Sequence, residues 1–421
     1  MKLHKLKNKK ILILGFGEEG RATHSFLIHH GIPVAGIADR DDHIKAPEKI
    51  MFHTGDKYLQ AISQYDIIIR SPGIPHHLVS PLLSPTQTLT SATNIFFEEC
   101  SAPIIGVTGT KGKSTTCSLL AAIFKKSGKT AHIVGNIGTP ALSLLKTIQP
   151  QDIVVYELSS FQLIDLSKGP HIAIFLNIFP DHLDHHQTYE EYIKAKARIT
   201  KLQGPKDIFL YNSADTEASR IAKESPAKAI PFKPGTSLVK VTWAAPIEPV
   251  LQIAEIFSIP MSVIEEVIQT FKPPEHRLEV VGTWNNIMFI NDSAATTPES
   301  TIRALDILEG SIGTLILGGS SKGVSYRALA QRILRSSVKH LIFFNPTGRE
   351  IEEELVKIGK GGLSCNYASS MEEAVRMCYE FTPKEMTCLM SPASASFSMF
   401  SNYKERGHVF KDLVQKHAKI L

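Results

Sequence analysis

Short, uninterrupted apolar runs recur along the whole chain, and amphipathic stretches of helical length separate them. The clearest runs are KILILGFG, DIIIRSPG, PIIGVTG, DIVVYELS, HIAIFLNI, GTLILGG and HLIFFNP. A strand that is apolar at every position is buried on both faces, as in parallel sheets covered by helices. The alternation of such strands with helices therefore predicts an α/β fold.

The length of the chain and two interruptions of the pattern indicate several domains. A chain of 421 residues is long enough for about two to three domains with separate cores. One boundary lies in SATNIFFEECSAP, before the strand PIIGVTG, and the other lies in FKPPEHR, where two prolines interrupt a helix. We therefore predict domains at 1–100, 101–273 and 274–421. The stretch 201–250 has weak hydrophobic periodicity, so it gives no clear prediction of helices or strands.

Charge and hydropathy argue against several classes of protein. The 46 basic and 41 acidic residues leave a net charge of +5, which by itself does not indicate nucleic-acid binding. No apolar run reaches the ~18 residues that a membrane-spanning helix needs. The start MKLHKLKNKKILILGFG imitates a secretory signal but has no small-residue cleavage site, so it predicts a buried first strand. Five cysteines without a CxxC pair predict reduced thiols in a cytoplasmic protein.

A glycine-rich turn between a strand and a helix is the strongest local signal. The strand PIIGVTG leads into the residues Gly109, Thr110, Lys111, Gly112, Lys113, Ser114 and Thr115. Such a turn lets backbone N–H groups face a phosphate at a helix N-terminus. We expect Lys113 to reach the β- and γ-phosphates of a nucleotide and Ser114 to hold Mg²⁺. Val107 stands where the strict GxxxxGK[ST] spacing has its first glycine, and the alternative is a glycine-rich turn without a ligand.

Polar residues follow two later strands. Glu157 ends the strand in DIVVYELSS, where carboxylates often complete a Mg²⁺ site. Asn177 and the cluster DHLDHH at 181–186 follow the strand HIAIFLNI. The cluster is either a solvent-exposed polar loop or the source of a histidine ligand to a second metal ion. Lys194 and Lys196 lie in YEEYIKAKARI, which taken alone predicts a helix with a charged outer face.

The first strand ends in a GxGxxG turn, GFGEEG at 15–20, and Asp39 follows about 20 residues later. Taken alone, this pattern is a dinucleotide-binding fingerprint, and it keeps an NAD-dependent dehydrogenase open as an alternative. The same turn binds other diphosphates. A dehydrogenase needs no ATP, so the additional phosphate-binding turn at 109–115 favours a nucleotide-linked substrate together with ATP.

Motifs along nearly the whole chain are similar to those of one family. In order, they are TGTKGKST, GNIG, YELSSFQL, NIFPDHLDHH, EYIKAKARI, HRLE, INDSAATTPE, LGGSSKG and SPASASFSMFSNYKERG. Together they resemble the Mur ligases, and within them the branch that adds D-glutamate to UDP-N-acetylmuramoyl-L-alanine. The stretch 201–250 contributes almost nothing to the resemblance.

The resemblance implies an ATP-dependent amide ligase of peptidoglycan precursor synthesis. It implies a Rossmann-like N-terminal domain for the UDP substrate, a central P-loop ATPase-type parallel sheet, and a C-terminal Rossmann-like α/β domain for the amino acid. ATP would phosphorylate the terminal carboxylate of UDP-N-acetylmuramoyl-L-alanine, and the amine of D-glutamate would attack the acyl phosphate. We expect a cytoplasmic monomer that acts on these small molecules, without nucleic acid and without membrane insertion.

The resemblance also assigns roles to individual residues. The catalytic residues are expected to be Lys113, His182 and Lys196. Two Mg²⁺ ions are expected at Ser114, Glu157, His182 and Lys196, with Lys196 carbamylated. Contacts to ATP outside the glycine-rich turn are expected from Arg277 and Asp292. Contacts to the UDP substrate are expected from Gly17, Glu18, Asp39, Arg40, Ser71, Gly73, Asn136, Ser159 and Gln162. Contacts to D-glutamate are expected from Thr296, Lys322, Ser396 and Tyr403.

The sequence departs from the family pattern in three places. Ala294 stands where a lysine is common, and Ser320 stands where an aspartate is common. The HNxxN stretch that contacts adenine has no counterpart, and TWAAPIEPV occupies its place. Two further alternatives are a relative that adds another amino acid and a non-catalytic nucleotide-binding homologue. The chain has no DNPR-like motif for diaminopimelate, so a ligase for that amino acid lacks support. The intact metal-ligand positions argue against a non-catalytic homologue.

Overall fold

Three β-sheets, each formed by its own segment of the chain, organise the protein. The computed structural model describes residues 1–44, 47, 50–137, 139–181, 183–237, 246–321 and 324–419. The chain divides into two compact units, with the division between Phe271 and Lys272. The first unit contains the first two sheets and the second unit contains the third. The predicted α/β fold is confirmed, and the boundaries near residues 100 and 273 stay predictions.

The first sheet has the strand order β3-β2-β1-β4-β5, and its neighbouring strands are parallel. Its strands are β1 (Ile11–Leu14), β2 (Gly36–Asp39), β3 (Met51–Thr54), β4 (Ile67–Arg70) and β5 (Thr88–Thr90). Its helices are α1 (Glu18–His29), α2 (His76–Val79) and α3 (Ala92–Glu99), with 3-10 helices at Leu3–Lys5, Gly55–Gln64 and Ser80–Leu82. Strands β1 and β4 are buried at every position, as their apolar runs predict.

The second sheet has the order β11-β10-β9-β6-β8-β7 and is also parallel. Its strands are β6 (Ile104–Thr108), β7 (Ala131–Gly135), β8 (Ile153–Glu157), β9 (Ile172–Phe175), β10 (Ile208–Asn212) and β11 (Lys228–Phe232). The accompanying helices are α4 (Lys113–Lys126), α5 (Ala141–Leu144), α6 (Ser160–Leu163), α7 (Leu183–His186), α8 (Tyr189–Lys201), α9 (Thr216–Lys223), α10 (Glu248–Ile256) and α11 (Met261–Thr270), with a 3-10 helix at Leu145–Thr147. Because β8 and β9 both flank β6, the residues that follow these three strands meet at one edge of the sheet.

The third sheet has the order β12-β13-β17-β14-β15-β16. Its strands are β12 (Glu279–Trp284), β13 (Ile287–Asn291), β14 (Ile312–Gly318), β15 (His340–Phe344), β16 (Ser364–Tyr367) and β17 (Thr387–Met390). Its helices are α12 (Pro298–Ile307), α13 (Arg327–Leu334), α14 (Thr347–Ile358), α15 (Met371–Phe381) and α16 (Tyr403–Ala418). Strands β12 and β13 pair antiparallel, because Asn285 and Asn286 both adopt positive φ and close a tight hairpin. The other neighbouring strands of this sheet are parallel.

One hydrophobic cluster joins the first two sheets, with members that run from Leu6 to Ala227. A buried ion pair adds to this junction. Arg70, at the end of β4, donates from Nε to Asp165 Oδ2 at 2.7 Å, and the two side chains are 1% and 3% exposed. Arg70 Nη2 also donates to the carbonyl oxygen of Phe161 at 2.8 Å. The two sheets of the first unit therefore share one hydrophobic cluster, and the first sheet has a second cluster of its own, which includes Leu12, Leu14 and Ile68.

Among the helices in the described part of the chain, none is both long enough and apolar enough to span a bilayer.

Candidate active site

The predicted phosphate-binding turn lies between β6 and α4, at the carboxyl edge of the second sheet. Gly112 caps the helix with a φ of 91°, a left-handed conformation that favours glycine. Helix α4 begins at Lys113. Lys113 and Ser114 therefore lie in its first turn, where N–H groups lack intrahelical partners and attract anions.

Asn177, which follows β9, braces this turn with both ends of its amide. Its Oδ1 accepts from the Lys111 N–H and its Nδ2 donates to the Lys111 carbonyl, each at 3.0 Å. The hydroxyl of Thr110 accepts from the Phe179 N–H at 3.2 Å and lies 3.1 Å from the Tyr192 hydroxyl. Contacts from β9 and α8 thus fix the shape of the turn.

Two lysine ammonium groups converge on the turn. Lys113 Nζ donates to the carbonyl oxygens of Gly109 at 2.9 Å and Thr110 at 3.0 Å. Lys196 Nζ donates to the same Gly109 oxygen at 3.0 Å and to the Thr108 hydroxyl at 3.3 Å. Burial, followed by the positive charge of Lys113, holds the pKa of Lys196 well below the usual lysine range.

Helix α8 places Lys194 and Lys196 in opposite surroundings. Lys196 is 1% exposed, and its Nζ lies 4.9 Å from the centre of the Tyr192 ring. Lys194 is exposed and lies 3.9 Å from Glu190. Lys196 is therefore the one of the two that faces the turn, whereas Lys194 fits the charged outer face that the sequence suggested.

Glu157 ends β8 beside this turn and is 1% exposed. Its Oε1 accepts a hydrogen bond from Asn136 Nδ2 at 3.0 Å. Its Oε2 is buried and has no hydrogen-bond partner among the residues that the structure describes. A buried, unpaired carboxylate oxygen is costly, and a hard divalent cation prefers such a ligand. The position of Glu157 therefore fits a Mg²⁺ ligand.

The polar cluster after β9 is buried at Asp181 and His186 rather than exposed throughout. His182, the predicted ligand in this cluster, lies outside the described residues. Asp181 is 2% exposed, and its carboxylate lies 3.6 Å from Lys111 Nζ. The cluster thus places a carboxylate beside the phosphate-binding turn.

His186, the last residue of this cluster, is buried inside the first unit. Its Nε2 lies 2.9 Å from the Ser160 hydroxyl, and its ring stacks on Phe161 with the centroids 5.4 Å apart. Burial, followed by the charges of His185 and Lys196, lowers the pKa of His186 to about 4. The imidazole is therefore neutral near neutral pH.

Six of the nine residues predicted to contact the UDP substrate lie at the carboxyl ends of β1, β2 and β4. They are Gly17, Glu18, Asp39, Arg40, Ser71 and Gly73. The Phe16 N–H donates to Asp39 Oδ2 at 2.6 Å, and the Ser71 hydroxyl donates to the Gly15 carbonyl at 2.9 Å. A Cβ at Gly20 would lie 2.1 Å from the Gly15 oxygen, so the GxGxxG turn needs its last glycine. Asp39 and Ser71 hold the turn in shape.

The second unit brings together four of the predicted residues at the carboxyl edge of the third sheet. Asp292 and Thr296 lie between β13 and α12, and Ser396 and Tyr403 lie between β17 and the start of α16. Arg277 precedes β12 and is half-buried. Lys322 lies outside the described residues.

Comparisons with known proteins agree with this arrangement. The model of the Mur ligase middle domain matches residues 107–270, and the model of the Mur ligase glutamate ligase domain matches residues 276–393. The UDP-N-acetylmuramoylalanine–D-glutamate ligase of Acetivibrio thermocellus is 33% identical, over 97% of this chain and 97% of that protein. The enzyme of the same name from Symbiobacterium thermophilum is 32% identical, over 97% and 98% of the two chains.

The chain belongs to the Mur ligase family.

Solved structures share the fold of this Mur ligase at low sequence identity. The MurF ligase of Thermotoga maritima, in complex with ADP, has a TM-score of 0.63 at 15% identity and covers 99% of this chain, with 97% of its own length matched. The UDP-N-acetylmuramate-alanine ligase of the same organism has a TM-score of 0.59 at 16% identity, over 97% of this chain and 100% of its own. The chain therefore shares the fold of these solved structures.

Two of the predicted substrate contacts have a local structural role in this Mur ligase. Ser159 and Gln162 form a capping box at the start of α6. The Ser159 hydroxyl accepts from the Gln162 N–H at 3.3 Å, and Gln162 Oε1 accepts from the Ser159 N–H at 3.0 Å. Their contact with substrate stays a prediction.

Sequence reasoning did not assign roles to three residues with extensive contacts in the structure, two in the first unit and one in the second. Asn177 and Tyr192 form hydrogen bonds with residues of the glycine-rich turn. For Asn177, the available signal in the sequence was its position directly after an apolar strand. Arg406 is buried in the second unit. Nothing in the sequence signals this burial, because an arginine on an amphipathic helix usually lies on the exposed face.

Three side chains of metal-ligand type also meet in the second unit. Glu275, His276 and His408 place possible ligand atoms within 4.8 Å of one another. However, Asn291 Nδ2 donates to His276 Nδ1 at 2.9 Å, and the same amide donates to Glu279 Oε2 at 3.0 Å. Nδ1 is therefore the acceptor nitrogen, and Nε2 carries the ring proton. Because His276 presents an N–H to the cluster, this arrangement does not favour a metal ion.

Proposed function

We propose that this Mur ligase joins D-glutamate to UDP-N-acetylmuramoyl-L-alanine at the expense of ATP, as a step in peptidoglycan precursor synthesis. One observation carries the proposal. The phosphate-binding turn, Lys196 and Glu157 form one cluster, in a chain similar over 97% of its length to proteins named for this reaction.

The chemistry requires an activated carboxyl group. A carboxylate is a poor electrophile, so its oxygen first attacks the γ-phosphorus of ATP, and ADP leaves. The amine nitrogen of D-glutamate then attacks the carbonyl carbon of the acyl phosphate, loses a proton, and expels phosphate as the amide forms. Catalysis of such a transfer depends mainly on positioning and on neutralising the charge of the transferred group.

The phosphate-binding turn supplies this charge neutralisation. Lys113 lies in the first turn of α4, where its ammonium group and the helix N–H groups can bind phosphate oxygens. Its bonds to Gly109 and Thr110 hold the side chain over the turn. We assign the ATP phosphates to residues 109–115, and further ATP contacts to Arg277 and Asp292.

The residues around the turn fit two Mg²⁺ ions. Ser114, Glu157, His182 and Lys196 would hold them, and the unpaired Oε2 of Glu157 is the observation that supports this. When bound, the ions would neutralise phosphate charge. Asn136 holds the other oxygen of Glu157 and so orients the carboxylate.

Lys196 would serve as a ligand in its carbamylated form. An ammonium group would repel a divalent cation, whereas a carbamate offers it anionic oxygen. Carbamylation needs a neutral amine, whose nitrogen attacks the carbon of CO₂ and loses a proton. Burial of Lys196 beside Lys113 favours that neutral form.

The three sheets would divide the substrates. We assign the UDP substrate to the Rossmann-like first sheet and to Asn136, Ser159 and Gln162. We assign ATP to the P-loop sheet, and D-glutamate to Thr296, Lys322, Ser396 and Tyr403 of the C-terminal Rossmann-like sheet. The enzyme would act as a cytoplasmic monomer.

Phosphate release from purified enzyme tests the proposal. With ATP, Mg²⁺ and UDP-N-acetylmuramoyl-L-alanine present, we expect release only when D-glutamate is added. L-Alanine, L-glutamate and meso-diaminopimelate serve as competing amino acids under the same conditions. Release that follows one of these and not D-glutamate would replace the assigned amino acid, and no release with any of them would contradict ligase activity on this acceptor.

A further inference from the structure

Arg406 is a buried cation on α16 that binds two loops of the second unit. Its side chain is 1% exposed. Its Nε donates to the Ser293 hydroxyl at 3.0 Å and its Nη2 donates to the Ser293 carbonyl at 2.8 Å. Its Nη1 donates to the Ser394 carbonyl at 3.1 Å. Ser293 follows β13 and Ser394 follows β17, so one guanidinium group fixes the distance between the two loops.

The two serines extend these contacts to neighbouring helices. The Ser293 hydroxyl donates to the carbonyl oxygen of Tyr403 at 2.8 Å, which anchors the start of α16. The Ser394 hydroxyl lies 2.8 Å from the Thr347 hydroxyl, at the start of α14, and 3.2 Å from the Tyr326 hydroxyl. A shift of Arg406 would therefore disturb both loops together.

Arg406 holds the two loops by hydrogen bonds and does not transfer protons near neutral pH. Burial lowers its pKa to about 9, and the negative charge of Asp292 opposes this change, so the group stays charged near neutral pH. Its three bonds go to hydroxyl and carbonyl oxygens on different loops. A guanidinium group presents several N–H donors in a fixed plane, whereas a lysine ammonium is a single point. A lysine would keep the charge and lose the bridge.

Asp292, the residue assigned to ATP, is held by other contacts. Its N–H donates to the Met390 carbonyl at 2.8 Å. Its Oδ1 accepts from the Leu278 N–H at 3.2 Å, and its Oδ2 accepts from the Ser391 hydroxyl at 2.8 Å. None of these bonds uses Arg406. By contrast, three of the residues assigned to D-glutamate depend on the bridged segments: Thr296 follows Ser293, Ser396 follows Ser394, and Tyr403 begins α16.

We propose that Arg406 is a positioning residue of the amino-acid site, which holds the Ser293 and Ser394 loops at the distance that D-glutamate requires. This inference rests on the proposed function. It separates amino-acid binding from ATP binding at one edge of the third sheet, because Asp292, the residue assigned to ATP, is held by hydrogen bonds with Leu278, Met390 and Ser391.

The test is steady-state kinetics of full-length Arg406→Lys, with Arg376→Lys on the exposed face of α15 as the matched control. We expect the KM for D-glutamate to rise by about tenfold or more in Arg406→Lys, because hydrogen bonds from a charged group are lost. The KM for ATP should change by less than about threefold. Arg376→Lys should match the unaltered enzyme. Ser293→Ala should raise the KM for D-glutamate by a smaller factor, since the Ser293 carbonyl still accepts from Nη2.

Two results for Arg406→Lys would overturn the inference, an unchanged KM for D-glutamate and an equal rise in both KM values. The second would indicate general loosening of the unit. Circular dichroism and thermal melting establish whether the variant folds, and if it does not, Ser293→Ala decides by the same two criteria. Absence of D-glutamate-dependent phosphate release in the unaltered enzyme would instead overturn the proposed function, and this inference with it.

Discussion

Lys113 and Lys196 donate to the same oxygen, the carbonyl of Gly109, at 2.9 Å and 3.0 Å. Two ammonium groups at one point repel each other, and burial removes the water that would screen them. The pKa of Lys196 is lowered accordingly, with burial as the first cause and Lys113 as the second. The glycine-rich turn is therefore contacted by two different amines. Lys113 is half-buried and serves as the cation, whereas Lys196 is buried and easily loses its proton.

Replacing Lys113 tests the cation of this pair. Lys113→Ala removes the ammonium group assigned to the ATP phosphates, and we expect ligation to fall by roughly 10²- to 10⁴-fold. Phosphate release measures the loss, and circular dichroism establishes that the fold is retained. Lys125→Ala, on the exposed face of the same helix, should keep full activity. Near-normal ligation by Lys113→Ala would contradict the phosphate assignment.

Replacing Lys196 tests the carbamate. Lys196→Ala should be nearly inactive, and acetate or formate should restore part of the activity by supplying the missing carboxylate oxygen. Lys194→Ala is the matched control, since Lys194 lies on the outer face of α8, and it should be fully active. If Lys194→Ala loses activity and Lys196→Ala does not, the ligand role of Lys196 is wrong.

Glu157→Gln tests the metal site at the end of β8. The substitution keeps the shape of the side chain and removes the negative charge of the unpaired oxygen. We expect the Mg²⁺ concentration for half-maximal activity to rise by about tenfold or more, because a neutral amide is a weaker ligand for a hard cation. A Mg²⁺ titration of phosphate release measures the shift. Glu190 is exposed, so Glu190→Gln is the control variant. If Glu157→Gln needs no more Mg²⁺ than Glu190→Gln does, Glu157 is not a Mg²⁺ ligand.

The buried His186 predicts a loss of stability in acid. Its folded-state pKa is about 4, below the ordinary 6.5. The unfolded chain therefore takes up a proton between these values and the folded chain does not, so stability falls as the pH drops from about 6.5 to about 4. The contribution reaches roughly 3 kcal/mol once the pH lies below both pKa values.

Urea unfolding at pH 7 and pH 4.5 measures this loss. His186→Gln should lose less unfolding free energy between the two pH values than the unaltered enzyme does. The exposed His29 offers the control His29→Gln, which should follow the unaltered enzyme. An equal loss in His186→Gln would show that other groups account for the acid sensitivity.

The strands were predictable because their apolar runs are buried on both faces. Each of the seven runs forms a strand, from β1 at Ile11 to β15 at His340. The position of the glycine-rich turn at 109–115 was predictable because its glycines stand directly after the apolar run of β6, and phosphate binding there stays a prediction. The antiparallel hairpin of β12 and β13 was not predicted, since its turn is Asn-Asn rather than a glycine-containing pair.

Tertiary contacts between distant segments were not predictable from residue spacing. Asn177 and Tyr192 reach the glycine-rich turn from other parts of the chain. Arg406 contacts Ser293, which is 113 residues away in sequence, and Ser394, which is 12 residues away. The periodicity of one helix shows which face is apolar but not which polar side chain is enclosed by another element. Such residues are found only once the strand order is known.

The buried pair of Arg70 and Asp165 limits how this protein can be divided. A fragment that ends at residue 100 would keep the guanidinium group of Arg70 and lose its carboxylate, and the remainder would carry the carboxylate alone. Neither part would keep the ion pair, and the cut would also split the hydrophobic cluster that both sheets share and expose its apolar surface to water. The N-terminal segment is therefore a poor candidate for independent expression or for exchange with another ligase, and a transplantable module would have to extend to Phe271.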